Sequence, residues 1–405
     1  MASKPSSGSF GALGCAHPTT RLEQVSAPRI GVIGGGQLAR MMQPAAVNLG
    51  LHLRVLAQSP TDSAAQVIPD TVIGAHDDLE ALKRFAAECD IITFDHEHVP
   101  TEYLAELQAM GVAVRPGPHA LQYAQDKLKM RHVLTQAGVP CPQWAQIQTP
   151  EDLDAFANKV GWPLVLKTAR GGYDGKGVWV IDNRDHAIEV MHRIVDSGTE
   201  ILAEECVPFI RELAAQVARS PHGQCVAYPV VQSTQTHGIC HEVIAPCPDL
   251  DDVRAAQAQE IALSIAQLLD VTGMLAVELF DTGDRIVVNE LAMRPHNSGH
   301  WSMDGAVTSQ FENHLRAIAD YPLGSPAPKA PVTIMVNLLG GDLGDLHSAF
   351  RHVMARDPQV KIHLYGKDVK PGRKIGHVNL LGDNLEDLKE RAWHAADYLT
   401  GVIDE

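Results

Sequence analysis

The feature that most constrains the fold of this chain is a glycine-rich loop between two apolar runs, within residues 163–182. The first run ends at Lys167 and the second covers residues 178–181. The residues between them include Gly171, Gly172, Gly175, Lys176 and Gly177. Glycines at this density let backbone N–H groups approach an anion without obstruction by Cβ atoms, and the two lysines add positive charge. The pattern predicts strand, polyphosphate-binding loop, strand; the alternative is a tight β-hairpin with a basic tip.

This loop differs from a Walker A loop in two respects. Lys176 is followed by Gly177, where a Walker A loop requires Ser or Thr. An apolar β run follows the loop, where a Walker A loop opens a helix. Any phosphate chemistry here therefore belongs to another class of nucleotide-binding protein.

Length and charge bound the remaining classes. With 405 residues, the chain is long enough for two or three domains with well-formed cores. The net charge of −16 argues against a general binder of nucleic acid or of anionic membranes. No apolar run approaches the roughly 18 residues that a membrane span needs. We therefore expect neither nucleic acid nor membrane as a partner, whereas a small anionic substrate would need a local basic pocket.

The cysteines and histidines indicate a reduced, cytoplasmic protein without zinc. The seven cysteines are odd in number and scattered, and no C-x-x-C occurs. His96 and His98, like His296 and His300, have spacings that a metal could use, but no partner set of Cys or carboxylate accompanies them. Residues 1–28 are rich in Ser, Gly, Pro and Ala without periodicity, so we expect a disordered extension there.

The first domain, residues 29–120, is predicted to be Rossmann-like. A strand at 29–33 leads through Gly34, Gly36 and Ala39 into a helix, which fits the G-x-G-x-x-A dinucleotide pattern. The next strand ends in residues 57–59 without the acidic residue that binds a ribose, which disfavours an NAD dehydrogenase. We therefore expect the fold without a nicotinamide site, although the helix N-terminus can still face an anion.

Two further observations concern the first two domains. Glu97 follows a buried strand at 90–94, and the carboxyl ends of parallel strands face the usual ligand crevice. Glu97 is therefore a site candidate; the alternative is a carboxylate on a surface loop.

In the second domain, residues 121–320, we predict one helix over 120–137 and one strand over 225–231.

A hairpin late in the second domain carries two facing acids. Strands are predicted at 274–281 and 286–294, and the turn between them would pair Thr282 with Ile286 and so place Glu278 opposite Glu290. Facing like charges repel, and acids among apolar residues are costly to bury. A divalent cation between them removes both penalties, and magnesium prefers one or two carboxylates plus phosphate and water. The hairpin predicts a metal shell of Glu278, Asn289 and Glu290; the alternative is a solvated acidic face.

Two polar segments follow this hairpin. Residues 294–301 are irregular and predicted to form a substrate loop. After a linker at 322–331, the third domain, residues 321–405, contains a basic turn with Lys367, Lys370, Arg373 and Lys374. In an acidic protein such a turn indicates an anionic ligand; a solvated charged turn is the alternative.

Together these pieces resemble the ATP-grasp ligases. Within that superfamily, GGYDGKG at 171–177, NELAMRPHNSGHW at 289–301 and KPGRKIGHVNL at 370–380 are similar to the 5-(carboxyamino)imidazole ribonucleotide synthase family, over about residues 29–400. The resemblance implies an α/β and α+β chain: an ATP-grasp fold with an N-terminal Rossmann-like (pre-ATP-grasp) domain and a small C-terminal β-rich domain. It also implies a homodimer that uses ATP, bicarbonate and aminoimidazole ribonucleotide in purine biosynthesis.

The resemblance also implies roles for individual residues. The residues it assigns to ATP are Lys127, Lys167, Gly172, Tyr173, Asp174, Gly175, Lys176, Gly177, Val178, Glu204, Glu205, Cys206, Val207, Glu212, Gln235, Asn289 and Glu290. Magnesium, or manganese in its place, would be held by Glu278 and Glu290. The residues expected to meet the imidazole nucleotide are Tyr173, Asp174, His296, Asn297, Ser298, Lys367, Arg373 and Lys374. The expected catalytic groups are Tyr173, Asp174, Glu97 and Lys367.

The chain departs from the family pattern at two positions. Lys127 stands where some relatives have Arg, and the change loses a bidentate fork. Gln235 stands where some relatives place a nucleotide-contacting His. Another ATP-grasp ligase, such as a biotin-type carboxylase, and a nonenzymatic nucleotide sensor are the alternative functions.

Overall fold

The computed structural model describes residues 27–172, 176–196, 198–236, 238–341 and 345–403. Residues 1–26 of the predicted extension, and Tyr173, Asp174 and Gly175 of the glycine loop, lie outside the described residues. Within the described part, no helix combines the length and the apolar character that crossing a bilayer requires. The six cysteines of the described ranges are free thiols.

The N-terminal unit is a parallel five-stranded sheet with the order β3-β2-β1-β4-β5. Its elements are β1 (Arg29–Ile33), α1 (Gln37–Leu49), β2 (His52–Ala57), β3 (Asp70–Ile73), α2 (Leu79–Ala86), β4 (Ile91–Phe94), α3 (Thr101–Ala109) and β5 (Ala113–Val114). The predicted Rossmann-like architecture is confirmed. Strand β3 was not predicted, because four half-exposed residues at a sheet edge give no clear hydrophobic alternation.

The prediction of one helix over 120–137 is wrong, because two helices occupy this segment: α4 (Pro118–Gln125) and α5 (Lys127–Gln136). Asp126 has an extended backbone and its carboxylate accepts a hydrogen bond from the Lys129 N–H at 3.0 Å, so it is the N-cap of α5. The Lys127 N–H donates to the carbonyl of Ala169 at 2.9 Å. The break therefore brings the start of α5 against the end of the lysine-bearing strand.

A four-stranded antiparallel sheet of order β6-β9-β7-β8 follows. Its elements are β6 (Trp144–Ile147), α6 (Pro150–Val160), β7 (Leu164–Thr168), β8 (Val178–Ile181), α7 (Arg184–Asp196) and β9 (Ile201–Glu205). The two helices pack their apolar sides on this sheet in one core cluster. Strands β7 and β8 are the two strands predicted on either side of the glycine-rich loop, and they pair antiparallel with Lys167 opposite Val178.

The remaining strands form one large sheet of order β15-β14-β10-β12-β13-β16-β18-β17, with β11 paired to β10. Its strands are β10 (Arg211–Arg219), β11 (Cys225–Ala227), β12 (Val231–Thr236), β13 (Ile239–Ala245), β14 (Gly273–Asp281), β15 (Ile286–Ala292), β16 (Val332–Leu339), β17 (Lys361–Leu364) and β18 (Lys374–Gly382). The helices that accompany them are α8 (Asp252–Leu268), α9 (Ser302–Gly305), α10 (Gln310–Ile318), α11 (Leu346–Arg356) and α12 (Leu385–Thr400).

The prediction of one strand over 225–231 is also wrong. Strand β11 ends at Ala227, and Val231 opens β12, which pairs with β13 in a hairpin that was not predicted. Strand β12 has neighbours on both sides, but its polar sequence, VQSTQT, lacks the apolar alternation that would predict a strand. Its position is set by pairing with β10 and β13, which no local pattern reports.

The C-terminal strands continue the large sheet through pairing of β13 with β16, in which Glu242 lies opposite Val336. The predicted linker at 322–331 runs along the end of α9, where Ala306 bridges Pro328 and the Val307 N–H donates to the Ala327 carbonyl at 2.9 Å. Residues from the C-terminal strands can therefore reach the same clefts as those from β14 and β15.

Candidate active site

A cavity of about 860 Å³ lies between the small sheet, the large sheet and the carboxyl end of β4. Most of the predicted site residues line it: Glu97, Lys127, Lys167, Gly172, Val178, Glu204, Glu205, Cys206, Val207, Glu212, Gln235, Glu278, Asn289, Glu290, His296, Asn297 and Lys374. Five predicted residues within the described ranges are not part of this lining: Lys176, Gly177, Ser298, Lys367 and Arg373.

The facing acids occur as predicted, but the predicted turn register is wrong. Asp281, rather than Thr282, pairs with Ile286, which on a regular ladder would shift Glu278 away from Glu290. A bulge in β15 inserts Asn289 and restores the pairing of Glu278 with Glu290. The extra residue therefore sets the geometry of the acidic pair.

The electrostatics of this pair favour a cation. Burial, and then the nearby Glu290 carboxylate, raise the pKa of Glu278 to about 7 from its ordinary value of 4.5. The Glu290 carboxylate accepts a hydrogen bond from the Lys127 ammonium at 2.9 Å. The described residues contain no cluster of three or more His, Cys, Asp or Glu side chains that could hold a metal. Two carboxylates are nevertheless a donor set that fits magnesium, whose other ligands are phosphate oxygens and water.

Lys167 is held by two acceptors from different sheets. Its ammonium contacts Glu204 Oε2 at 2.6 Å and donates to Asn289 Oδ1 at 3.1 Å. Glu204 is almost fully buried, and its other oxygen accepts from the guanidinium of Arg131. The Glu204 carboxylate is thus occupied by two cations, while its residue still borders the cavity.

Arg131 was not predicted to be a site residue. Its side chain is fully buried, and it donates to the Asn289 carbonyl at 2.7 Å as well as to Glu204. A signal for it exists, because Lys127 and Arg131 lie four residues apart and therefore on one face of α5. That this face meets the cavity wall can be recognised only when the break between α4 and α5 at Asp126 is known.

One end of the cavity is apolar. Phe209 and Phe280 stack with ring centroids 4.7 Å apart, and Val165, Val178 and Val207 line the same cavity. Such an apolar slot between two sheets suits a flat heterocyclic base.

Glu97 anchors the start of the predicted substrate loop. Its two oxygens accept hydrogen bonds from the Met293 N–H at 2.8 Å and from Arg294 Nε at 3.0 Å. Next along the loop, His296 Nε2 lies 3.6 Å from Glu278 Oε1, and His296 Nδ1 lies 2.9 Å from Ser298 Oγ. Burial, and then the positive charges of Arg294 and Lys374, lower the pKa of His296 to about 3, so the ring is neutral.

A second cavity of about 630 Å³ adjoins the first. Both cavities are lined by Gln37, Asp95, His96 and His98. Beyond these shared residues, the second cavity is bordered by the β1–α1 glycine loop and the basic turn: Gly34, Gly35, Gly36, Lys367, Lys370 and Arg373. The basic turn is therefore divided, since Lys374 lines only the first cavity.

The N-terminus of α1 already faces the Asp95 carboxylate of the same chain. The partly buried Asp95 carboxylate accepts from the Ala39 N–H at 2.8 Å, and a Cβ at Gly36 would lie 2.0 Å from Asp95 Oδ2. Glycine is required at position 36 because any side chain would collide with this carboxylate. The ammonium of Lys367 contacts the Gln37 amide at the same end of the helix.

Comparison with known proteins first defines the class. The ATP-grasp domain family matches residues 132–311, and the ribonucleotide synthetase preATP-grasp domain family matches residues 28–125. The phosphoribosylaminoimidazole carboxylase C-terminal domain family matches residues 333–391. Together with the lysine-bearing hairpin and the acidic strands, these matches make the chain an ATP-grasp ligase.

Whole-chain relatives then give the particular family. An N5-carboxyaminoimidazole ribonucleotide synthase of Mycobacterium tuberculosis is 53% identical over 382 residues, covering 92% of this chain and 88% of the relative. The Thermus thermophilus synthetase structure has a TM-score of 0.83 at 36% identity, covering 93% of this chain and 99% of that one. An Aspergillus clavatus synthase, solved with ADP and 5-aminoimidazole ribonucleotide, has a TM-score of 0.83 at 30% identity over 92% and 99%. The chain belongs to the N5-carboxyaminoimidazole ribonucleotide synthase family.

Proposed function

We propose that this protein carboxylates 5-aminoimidazole ribonucleotide with bicarbonate at the expense of ATP, giving N5-carboxyaminoimidazole ribonucleotide, ADP and phosphate in purine biosynthesis. The observation that carries the proposal is the pair of adjoining cavities. One has lysines, facing acids and an apolar slot, and the other has a glycine loop and a basic turn. Two anionic substrates can thus bind side by side and meet at the shared wall.

ATP would occupy the first cavity. Its adenine fits the apolar slot beside Cys206 and Val207, and its phosphates would lie near Lys127 and Lys167. Ammonium groups bind phosphate as point charges, and both lysines are nearly buried, so water screens them little. Gly172 and Val178 line the same cavity and would lie beside the phosphates.

Magnesium, or manganese, would be held by Glu278 and Glu290, with Asn289 beside them. When bound, the ion neutralises charge on the transferring phosphoryl group. Lys127 holds Glu290 in place through their 2.9 Å hydrogen bond.

The ribonucleotide would bind across both cavities. Its 5′-phosphate suits the second cavity, where Lys367 and Arg373 supply positive charge and the glycine loop allows close approach. Its aminoimidazole would then point through the shared wall toward His296, Asn297 and Lys374 in the first cavity. A phosphate held away from the reacting amine can orient that amine against the carboxyl donor.

The reaction then follows in two balanced steps. A bicarbonate oxygen bonds to the γ-phosphorus as the bond to the β-phosphate oxygen breaks, which gives carboxyphosphate and ADP. The amine nitrogen bonds to the carboxyl carbon as the carbon–oxygen bond to phosphate breaks, and phosphate leaves with the N–H proton. Lys127 and Lys167 would stabilise the developing charge.

The assay is ADP release with bicarbonate and magnesium, with and without aminoimidazole ribonucleotide. We expect turnover to depend on all three components. Full turnover with an amino acid or biotin in place of the ribonucleotide would contradict the proposal. We also propose a cytoplasmic homodimer, and sedimentation equilibrium giving the mass of one chain would exclude the dimer.

A further inference from the structure

Four residues form a closed ring of polar contacts behind the proposed ATP phosphates. Arg131 contacts Glu204 Oε1, Glu204 Oε2 contacts the Lys167 ammonium at 2.6 Å, and Lys167 donates to Asn289 Oδ1 at 3.1 Å. The Asn289 carbonyl then accepts from Arg131 Nη2 at 2.7 Å and closes the ring. Of these four residues only Arg131 is absent from the cavity wall, so it acts through the other three.

The ring decides the charge that Lys167 presents. With Glu204 as its only partner, the Lys167 ammonium would be cancelled by one carboxylate. Arg131 adds a second cation to the same carboxylate, so the group of Arg131, Glu204 and Lys167 carries one net positive charge. Burial alone would raise the pKa of Glu204, but Arg131 and then Lys167 outweigh it and lower the pKa to about 2. Glu204 therefore stays ionised and holds both cations.

The ring also fixes the bulge in β15. The Asn289 carbonyl is held by Arg131 and its side chain by Lys167. The next residue is Glu290, which the bulge places opposite Glu278. Buried Arg131 thus contacts Glu204, the partner of Lys167 in the small sheet, and also the acidic hairpin of the large sheet.

We propose that Arg131 is a positioning residue for the nucleotide: it offsets the Glu204 carboxylate, so that Lys167 keeps a net positive charge for the ATP phosphates, and it holds the Asn289 bulge. This inference rests on the proposed ATP site. It extends that site to a residue that touches no substrate.

The test measures binding of ADP with magnesium by isothermal titration calorimetry. Arg131→Met removes the charge at similar length, and we expect ADP to bind about 10- to 100-fold more weakly, as for loss of one charge-assisted phosphate contact. Arg131→Lys keeps the charge opposite Glu204, and the expected loss is less than about 10-fold. Arg254→Met is the matched control, because Arg254 also pairs with a buried acid, Asp281, and is not part of the cavity lining.

A double variant separates charge compensation from a structural role. In Arg131→Met/Glu204→Gln the carboxylate that cancels Lys167 is also gone, so we expect ADP to bind more tightly than to Arg131→Met alone. A double variant that binds as weakly as the single one, or an Arg131→Met variant with unchanged affinity, would overturn the inference. Failure of the wild-type chain to bind ADP would overturn the proposed nucleotide site as well, so the two failures are distinguishable.

Discussion

Replacing Glu278 with glutamine is expected to stabilise the metal-free protein above neutral pH while removing most of its activity. The Glu278 side chain is only 19% exposed and stands opposite Glu290. Burial, and then the Glu290 charge, raise its pKa to about 7 from 4.5. With magnesium bound between the two acids as proposed, glutamine should remove the charge repulsion in the metal-free site and abolish activity in the loaded one.

The size and sign of the stability effect follow from this shift. Burial and the Glu290 charge raise the pKa of Glu278 from 4.5 to about 7. Since each pH unit corresponds to about 1.4 kcal/mol, the ionised form costs the folded protein roughly 3 kcal/mol. A pKa that is higher in the folded state penalises folding when the group must ionise. The penalty is therefore complete above about pH 7, and it fades as the pH falls toward 4.5.

Unfolding of the wild-type chain and of Glu278→Gln should be compared in EDTA at about pH 8 and about pH 5. We expect the variant to be more stable at the higher pH by about 3 kcal/mol, and by less than about 1 kcal/mol at the lower one. Glu290→Gln is the matched comparison: it removes the charge that repels Glu278 but also the carboxylate that accepts from Lys127, so it should stabilise less than Glu278→Gln. Equal stability of Glu278→Gln and wild type at both pH values would refute the reasoning.

The remaining acids and the basic turn can be tested by substitution, with turnover and KM values measured by steady-state titration of each substrate. Glu290→Gln should lower turnover at least about 100-fold with an unchanged circular dichroism spectrum, since a metal contributes several kcal/mol to such a transition state; near-normal turnover would exclude it as a ligand. Lys367→Ala or Arg373→Ala should raise the KM for the ribonucleotide about 10- to 100-fold and leave the KM for ATP within about twofold. The reverse pattern would mean that the two pockets are assigned the wrong way round. Glu97→Gln, which loses the ion pair with Arg294, should raise the ribonucleotide KM without weakening ADP binding.

Local patterns were sufficient for most strands and for most of the residues that line the first cavity. The glycine loop, the lysine strand and the acidic hairpin are each written in contiguous residues with strong alternation or turn signals. The break at Asp126 was missed because the residues on both sides favour helix, and a lone Asp in such a run signals an N-cap only when its tertiary contacts are known. The ring around Arg131 was missed because its members come from four distant segments, and their contacts are a product of folding.

The acidic pair shows how a correct conclusion can come from a wrong register. The expected pairing of Thr282 with Ile286 and the observed pairing of Asp281 with Ile286 differ by one residue. A slip of one residue normally moves every later side chain to the opposite face of the sheet. The bulge at Asn289 reverses the slip before Glu290 is reached. Because a bulge depends on contacts outside the hairpin, here the bond from Arg131 to the Asn289 carbonyl, the sequence of the hairpin cannot predict it.

The basic turn gives the reason why the C-terminal strands belong to the large sheet. Arg373 lines the second cavity and Lys374, the first residue of β18, lines the first. Successive side chains of an extended chain point to opposite sides, so one peptide bond at the start of a strand can serve two cavities. This arrangement works only if β18 is fixed relative to β14 and β15, and unbroken pairing through β16, β13, β12 and β10 provides that. A hinged C-terminal domain would let the proposed ribonucleotide phosphate move relative to the proposed ATP phosphates. The continuous sheet would instead hold the two proposed anion sites at a constant separation.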